Sequence, residues 1–261
     1  MKSQGLSERT IRERIGTVRN LLSRSHTTAR SLEPVHIQTW LARDMSQATR
    51  ATYHASIRAF CKWMQRSGIR EDNPADRTPS PKRPKTLPRP LSPEQLYALL
   101  RACNRRRTRA YVLLGALAGL RVHEIAKIQG EDVDPWTGVL TVIGKGGKVA
   151  RLPLHDELIA EAKRWPTTGW WFPSYTGSRP HVSSHAVSMA ISDAMWRAGV
   201  RATPHALRHT YGTELVKAGV HLRVVQEAMR HENPASTAIY TKVDSEQLRE
   251  GIGRLVLPGA A

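Results

Sequence analysis

Cysteine is almost missing from this sequence. Cys61 and Cys103 are the two it has, too few for a disulfide framework or a zinc ribbon, and such sparing use fits a reducing cytoplasm. Acidic residues are scarce as well: 22 Asp and Glu stand against 40 Lys and Arg, a formal net charge of +18. A surface so cationic narrows the partners to nucleic acid, acidic membrane or acidic protein, with DNA leading. Long apolar runs are lacking too. The longest, Tyr111 to Leu120, is about half of what a membrane span requires, and the polar stretch Met1 to Thr10 holds no signal-peptide core. The expectation is a soluble, cytoplasmic, nucleoid-associated protein without a membrane partner. Walker-type loops, His-Glu-x-x-His and Gly-x-Ser-x-Gly are absent, which removes the usual nucleotide, zinc-protease and hydrolase machinery.

What is present is organised in two parts. At 261 residues the chain can bury two modest cores. Residues 1–90 hold 18 basic against 7 acidic residues and residues 91–261 hold 22 against 15, so the first third carries most of the excess charge. Positions 79–90 contain five prolines and four basic residues, too proline-rich for a helix and too polar for a core. This predicts a helical domain over 1–78, an extended linker over 79–90 and a second domain over 91–261, with no internal repeat.

In the first part, Ile11, Ile15, Val18 and Leu22, and again Ile57, Phe60 and Met64, recur at helical spacing, with a shorter helix expected from Pro34 to Ala42. Arg50, His54, Arg58, Lys62 and Arg66 follow every fourth position after Ser46, which predicts a slowly winding basic stripe. A solvated charged face is the ordinary reading of such a stripe. The near absence of acids within it favours phosphate contact, and Lys82, Arg83 and Lys85 of the linker are further candidate DNA contacts.

The second part opens on a capped helix at Ser92-Pro93-Glu94 running to about Cys103. Further helices are expected from Arg109 to Ala118, briefly after Arg121, and over His155–Arg164, Ser184–Ala198, His205–Ala218, Leu222–Met229 and after Asp244. Between them, Gly138 to Leu154 reads as a β-hairpin with a Gly-Lys-Gly-Gly turn. The fold class is therefore mainly α with a small antiparallel β-sheet.

Four segments carry chemistry. Gly119-Leu120-Arg121 starts a helix with Glu124 one turn on; Lys145 and Lys148 sit at the hairpin turn; His205 and Arg208 stand three apart on one helix; and His231 precedes Tyr240 by nine residues. Taken singly, each is more often a surface ion pair, a cap or a core tyrosine, and their joint occurrence in order is what gives the signal. His205 and His209 stand four apart, but no glutamate lies between them and no cysteine cluster supports a zinc site.

These segments resemble the boxes of the tyrosine recombinase (phage integrase) family over residues 92–243. Phe60, Trp63 and Asn73-Pro74-Ala75 more faintly resemble the end of that family's core-binding domain. The resemblance implies a SAM-like helical core-binding domain followed by a mixed α+β catalytic domain. It implies Tyr240 as nucleophile, assisted by Arg121, Lys145, His205, Arg208 and His231, with Lys148 a phosphate contact. Two departures stand out. His123 occupies a position where a small residue is common, and Arg230 replaces the glycine that usually precedes the second histidine.

The chemistry accounts for these residue types. Bidentate arginines match the non-bridging oxygens of a phosphodiester, and a tyrosine with a free pKa of about 10 needs a base or nearby positive charge to become a nucleophile. No metal or other cofactor is expected, and a covalent 3′-phosphotyrosyl link conserves the bond energy. The resemblance further implies a homotetramer on double-stranded DNA attachment sites in a bacterial or phage-infected cell, with strand exchange through a Holliday junction and a possible directionality factor. No extra N-terminal arm-binding domain is expected, so simple inverted-repeat sites are. A type IB topoisomerase and a catalytically idle DNA-binding regulator are the alternatives. After Tyr240, Asp244 and Gln247 fit a capping box ahead of Leu248, Ile252 and Leu255, a tail helix that docks on a neighbouring protomer in the family or packs on its own domain.

Overall fold

The computed structural model describes residues 5–82, 89–143, 147, 149–177 and 179–230. They gather into two compact units that divide between positions 86 and 87.

The first unit is helical. Helix α1 (Glu8–Arg24) starts where Ser7 Oγ accepts the Thr10 amide, and α3 (Gln47–Arg66) starts the same way from Ser46 and Thr49. Between them lies α2 (Pro34–Leu41), with proline at its first position, and a 3-10 turn over Pro74–Arg77 follows α3. The core is Leu21, Leu32, Ile37, Trp40, Ile57, Cys61 and Met64, with Leu22 and Phe60 packed against it; of the predicted stripes, Ile57 and Met64 reach it fully, while Ile11 and Ile15 are only partly buried. The basic stripe is broken at its second member. His54 is 4% exposed and bonds Thr78 Oγ1 at 3.2 Å, because a residue every fourth position drifts around the helix until it meets the buried face. Arg50 is turned inward as well, donating from Nε to the Leu41 carbonyl and from Nη2 to that of Arg43. Arg58 pairs with Asp76 at 2.8 Å, and Lys62, Arg66 and Lys82 are exposed.

The second unit opens with α4 (Pro93–Arg101), held by a reciprocal bond pair between Ser92 and Gln95. Helix α5 (Arg106–Leu117) follows, buried without a break from Ala110 to Ala116. A helix apolar on every side has to run through the centre of its domain, and α5 packs against α8 (Ser184–Arg197) and α9 (His205–Lys217). Gly115 allows the closest approach: a β-carbon there would stand 3.0 Å from Leu207. The remaining helices are α6 (Val122–Ile125), α7 (Asp156–Ala162) and α10 (Leu222–Ala228).

The hairpin pairs β2 (Val139–Ile143) with β3 (Val149–Pro153), placing buried Leu140 opposite buried Leu152. A third strand, β1 (Val133–Asp134), extends the antiparallel sheet in the order β1-β2-β3; two residues are too few for alternation to reveal. Helix α7 starts one residue later than expected because His155 serves as its cap, its Nδ1 accepting the Glu157 amide. Helix α5 starts three residues earlier than expected, at Arg106, and Thr108 in the added turn is buried. The helix expected after Asp244 lies outside the described residues. Among the described residues, no helix is long and apolar enough to cross a membrane.

Candidate active site

Helix α5 ends at a sharp turn, and the site is built on it. Gly119 has φ +60°, and a β-carbon there would fall 2.4 Å from the Tyr211 ring, so both backbone and space demand glycine. The turn delivers Arg121 to the N-terminus of α6. Glu124, one turn later, reaches back: its Oε2 accepts the Arg121 amide at 2.7 Å and its Oε1 accepts Arg121 Nη1 at 3.1 Å. Arg121 keeps 36% of its side chain exposed while Glu124 keeps 3%. One guanidinium nitrogen is thus tied down, and the group still faces outward.

Arg208 comes from the first turns of α9 and is almost wholly buried. Its Nη1 donates to the Gly119 carbonyl and its Nη2 to the Met229 carbonyl. Two backbone segments far apart in sequence, one entering Arg121 and the other leaving α10, are therefore held by one planar fork. Lysine has no such fork. Buried carbonyls left without a donor cost about 1–3 kcal/mol each, so Arg208 is structural as well as chemically placed.

His205 sits one turn before Arg208. Partial burial of its ring, then the charges of Arg208 and Arg121, lower its pKa below that of a free imidazole. His209 stacks edge-on against it at 4.5 Å, and burial, then His205 and Arg208, bring His209 down to about 4. Both rings are neutral at physiological pH, and a neutral His205 is able to accept a proton.

Arg230 is the group that sequence reasoning left out of the site. It follows α10 with φ +51°, the left-handed conformation that glycine ordinarily supplies after a helix end; a side chain there costs about 1 kcal/mol. Its guanidinium is 9% exposed and donates from Nη2 to Glu124 Oε2 at 2.9 Å and to the Gly119 carbonyl at 3.2 Å. Its Nη1 donates to the Ala228 carbonyl at 3.1 Å. Burial alone would raise the Glu124 carboxyl, but the charge of Arg230, the Arg121 amide and guanidinium, and Arg208 outweigh it and hold it below the usual range. The signals in the sequence were the missing glycine and a glutamate three residues after Arg121. Neither says that the two meet, because 106 residues separate them.

Of the candidate catalytic residues, Arg121, His205 and Arg208 are brought to this one place. Lys145, His231 and Tyr240 lie outside the described residues, as do Lys148, Arg83 and Lys85. The other departure, His123, is exposed beside Arg121 in the chain, and partial desolvation of its ring lowers its pKa.

A family model described as the phage integrase family matches residues 89–247. The tyrosine recombinase XerA of Pyrococcus furiosus is 31% identical over 207 residues, covering 76% of this chain and 72% of the relative. Among solved structures, the integrase from mycobacterium phage Brujita is 43% identical, with a TM-score of 0.55 over 97% of this chain and 88% of that one. The Tn1549 transposon integrase in complex with transposon right end DNA has the same fold at 20% identity, with a TM-score of 0.74 over 95% of this chain and 94% of that one.

Proposed function

The chain belongs to the phage integrase family of tyrosine-type site-specific recombinases, and from that premise we propose that it is the integrase of a phage or other mobile element. In this reading it cleaves and rejoins double-stranded DNA at attachment sites through a 3′-phosphotyrosyl link and a Holliday junction. The observation that carries the reading is the shared anchoring of Arg121 and Arg208 on the Gly119–Glu124 segment, with a neutral His205 on the same helix as Arg208. What supports a mobile element is the higher identity to a phage integrase, 43%, than to the XerA relative, 31%.

Attack on a phosphodiester builds negative charge on the non-bridging oxygens of a five-coordinate phosphorus. Arg121 and Arg208 neutralise that charge from fixed positions, and donors already in place cost no reorganisation as the charge develops. His205 accepts the phenolic proton of Tyr240, the phenolate oxygen bonds to phosphorus, and the bond to the 5′-oxygen breaks. Lys145 protonates that oxygen, and His231 donates to the phosphate. Religation runs the same steps backwards with a new 5′-hydroxyl, so no ATP enters. Residues 1–78 serve as the core-binding domain and 91–261 as the catalytic one, joined by 79–90. A homotetramer brings two DNA sites together, and a directionality factor sets the bias between integration and excision.

Incubation with candidate attachment-site DNA tests this reading. A covalent protein–DNA adduct mapping to Tyr240 is the expected result, with Tyr240→Phe binding the same DNA and forming none. An adduct that survives Tyr240→Phe would overturn the assignment. Relaxation of supercoiled DNA lacking any such site, with no strand exchange, would instead mark a type IB topoisomerase.

A further inference from the structure

The recombinase reading uses two arginines at the phosphate, yet three converge on the Gly119–Glu124 turn. Arg230 is the third, and it touches the anchors of both others. It shares the Gly119 carbonyl with Arg208 and the Glu124 carboxylate with Arg121. Glu124 is the sole acidic group paired with these guanidiniums among the described residues, so its single negative charge is divided between two arginines.

Consider the site without that side chain. Glu124, nearly buried, would hold Arg121 as its one ion-pair partner, and a carboxylate facing a guanidinium prefers the two-pronged pairing that occupies a whole edge of the fork. Arg121 would then be drawn inward and its charge cancelled. With Arg230 joining the Arg121 amide on Oε2, the Arg121 guanidinium meets Glu124 through Nη1 and Oε1 alone, leaving its other guanidinium nitrogens without a partner among the described residues. Arg230 itself is 9% exposed, its Nη nitrogens are spent on Glu124 and on the Gly119 and Ala228 carbonyls, and its Nε has no hydrogen-bond partner among the described residues. Its place is behind Arg121.

We infer that Arg230 is a positioning residue for the cleavage step: it shares the Glu124 carboxylate so that Arg121 stays turned toward the scissile phosphate with its charge uncancelled. The inference rests on the recombinase reading of the site. It predicts that glycine, the residue best suited to the backbone at position 230, is the wrong one for the chemistry of this chain.

The test compares wild type, Arg230→Gly, Arg230→Lys, Glu124→Gln and the Arg230→Gly/Glu124→Gln double variant. Two quantities are read for each: the single-turnover rate of covalent adduct formation on saturating attachment-site DNA, and the affinity for that DNA. Arg230→Gly is expected to cleave at least tenfold more slowly with affinity within twofold of wild type. Arg230→Lys, which keeps the charge on Glu124, should recover part of that loss. Adding Glu124→Gln to Arg230→Gly should raise the rate at least threefold, because the amide no longer captures Arg121. A merely structural staple behaves otherwise: the second substitution would compound the loss, and that result, or a wild-type rate for Arg230→Gly, overturns the inference. If wild type forms no adduct on any DNA, it is the recombinase reading that has failed. Urea unfolding of the same five proteins without DNA then decides the Arg230–Glu124 link, and additive effects of the two substitutions would overturn it.

Discussion

The guanidinium of Arg208 donates to the carbonyl of Gly119, 89 residues earlier in the chain. This bond, with its companion to Met229, closes the site by joining the turn after α5 to the end of α10. Arg208→Lys keeps the charge but cannot serve both carbonyls in one plane. It is expected to lower stability by ~1.5–3 kcal/mol, the usual worth of a hydrogen bond to a charged group, and to abolish cleavage. Urea unfolding and adduct formation measure the two effects separately, and a variant of full stability with no cleavage would show that Arg208 has no structural share.

Acid should weaken the protein above the ordinary carboxylate range. Burial, helped by His205 and Arg208, brings His209 to about 4, and the His205 pKa is lowered too. Between about pH 6.5 and 4 the unfolded chain therefore binds more protons than the folded one. Stability is intact above pH 6.5 and falls as the pH drops through that window, with a slope approaching ~1.4 kcal/mol per pH unit for each such histidine. His209→Gln should flatten the decline between pH 6.5 and 5 in urea titrations. An unchanged slope would place the titrating group elsewhere.

The basic residues of helix α3 divide into two classes. Lys62 and Arg66 are exposed, whereas Arg50 closes the carbonyl ends of α2 and the following turn. Replacing Lys62 or Arg66 by alanine should shallow the dependence of log affinity on log salt by ~0.9 per lost phosphate contact. Arg50→Ala should leave that slope alone and lower the melting temperature. Equal slopes for all three variants would mean that this helix does not meet DNA.

Leaving-group protonation separates the two hairpin lysines. If Lys145 protonates the departing 5′-oxygen, Lys145→Ala should cleave ordinary DNA slowly and recover when that oxygen is replaced by sulfur, since a thiolate leaves without a proton. Lys148→Ala should bind more weakly and show no such recovery. Recovery by Lys148→Ala alone would exchange the roles, and recovery by neither would pass the task to His205 or His231.

Much of this architecture was legible before any fold was known. Periodicity marked α1 and α3, and Ser92-Pro93 marked the start of α4, because capping and amphipathic burial are local. The six motif residues identified the family for a related reason: a phosphodiester dictates residue types, and their order along the chain can be read directly. Strand β1 and the inward turn of His54 were not legible, since two residues carry no period and a stripe repeating every fourth position cannot announce where it meets the core.

The sequence by itself determined the charge, the starts of α3 and α4, the hairpin and the family to which the chain belongs. Only the tertiary structure decided what those residues do to one another. Arg230 looked like bulk in the place of a glycine, and becomes a buried partner of Glu124. Arg208 looked like a phosphate ligand, and is also the clasp between Gly119 and Met229. The physical reason is the same in both cases. A buried charge or carbonyl must find a partner wherever the packing of α5, α9 and α10 places one, and these partners lie 21, 89 and 106 residues away, beyond the reach of any local pattern.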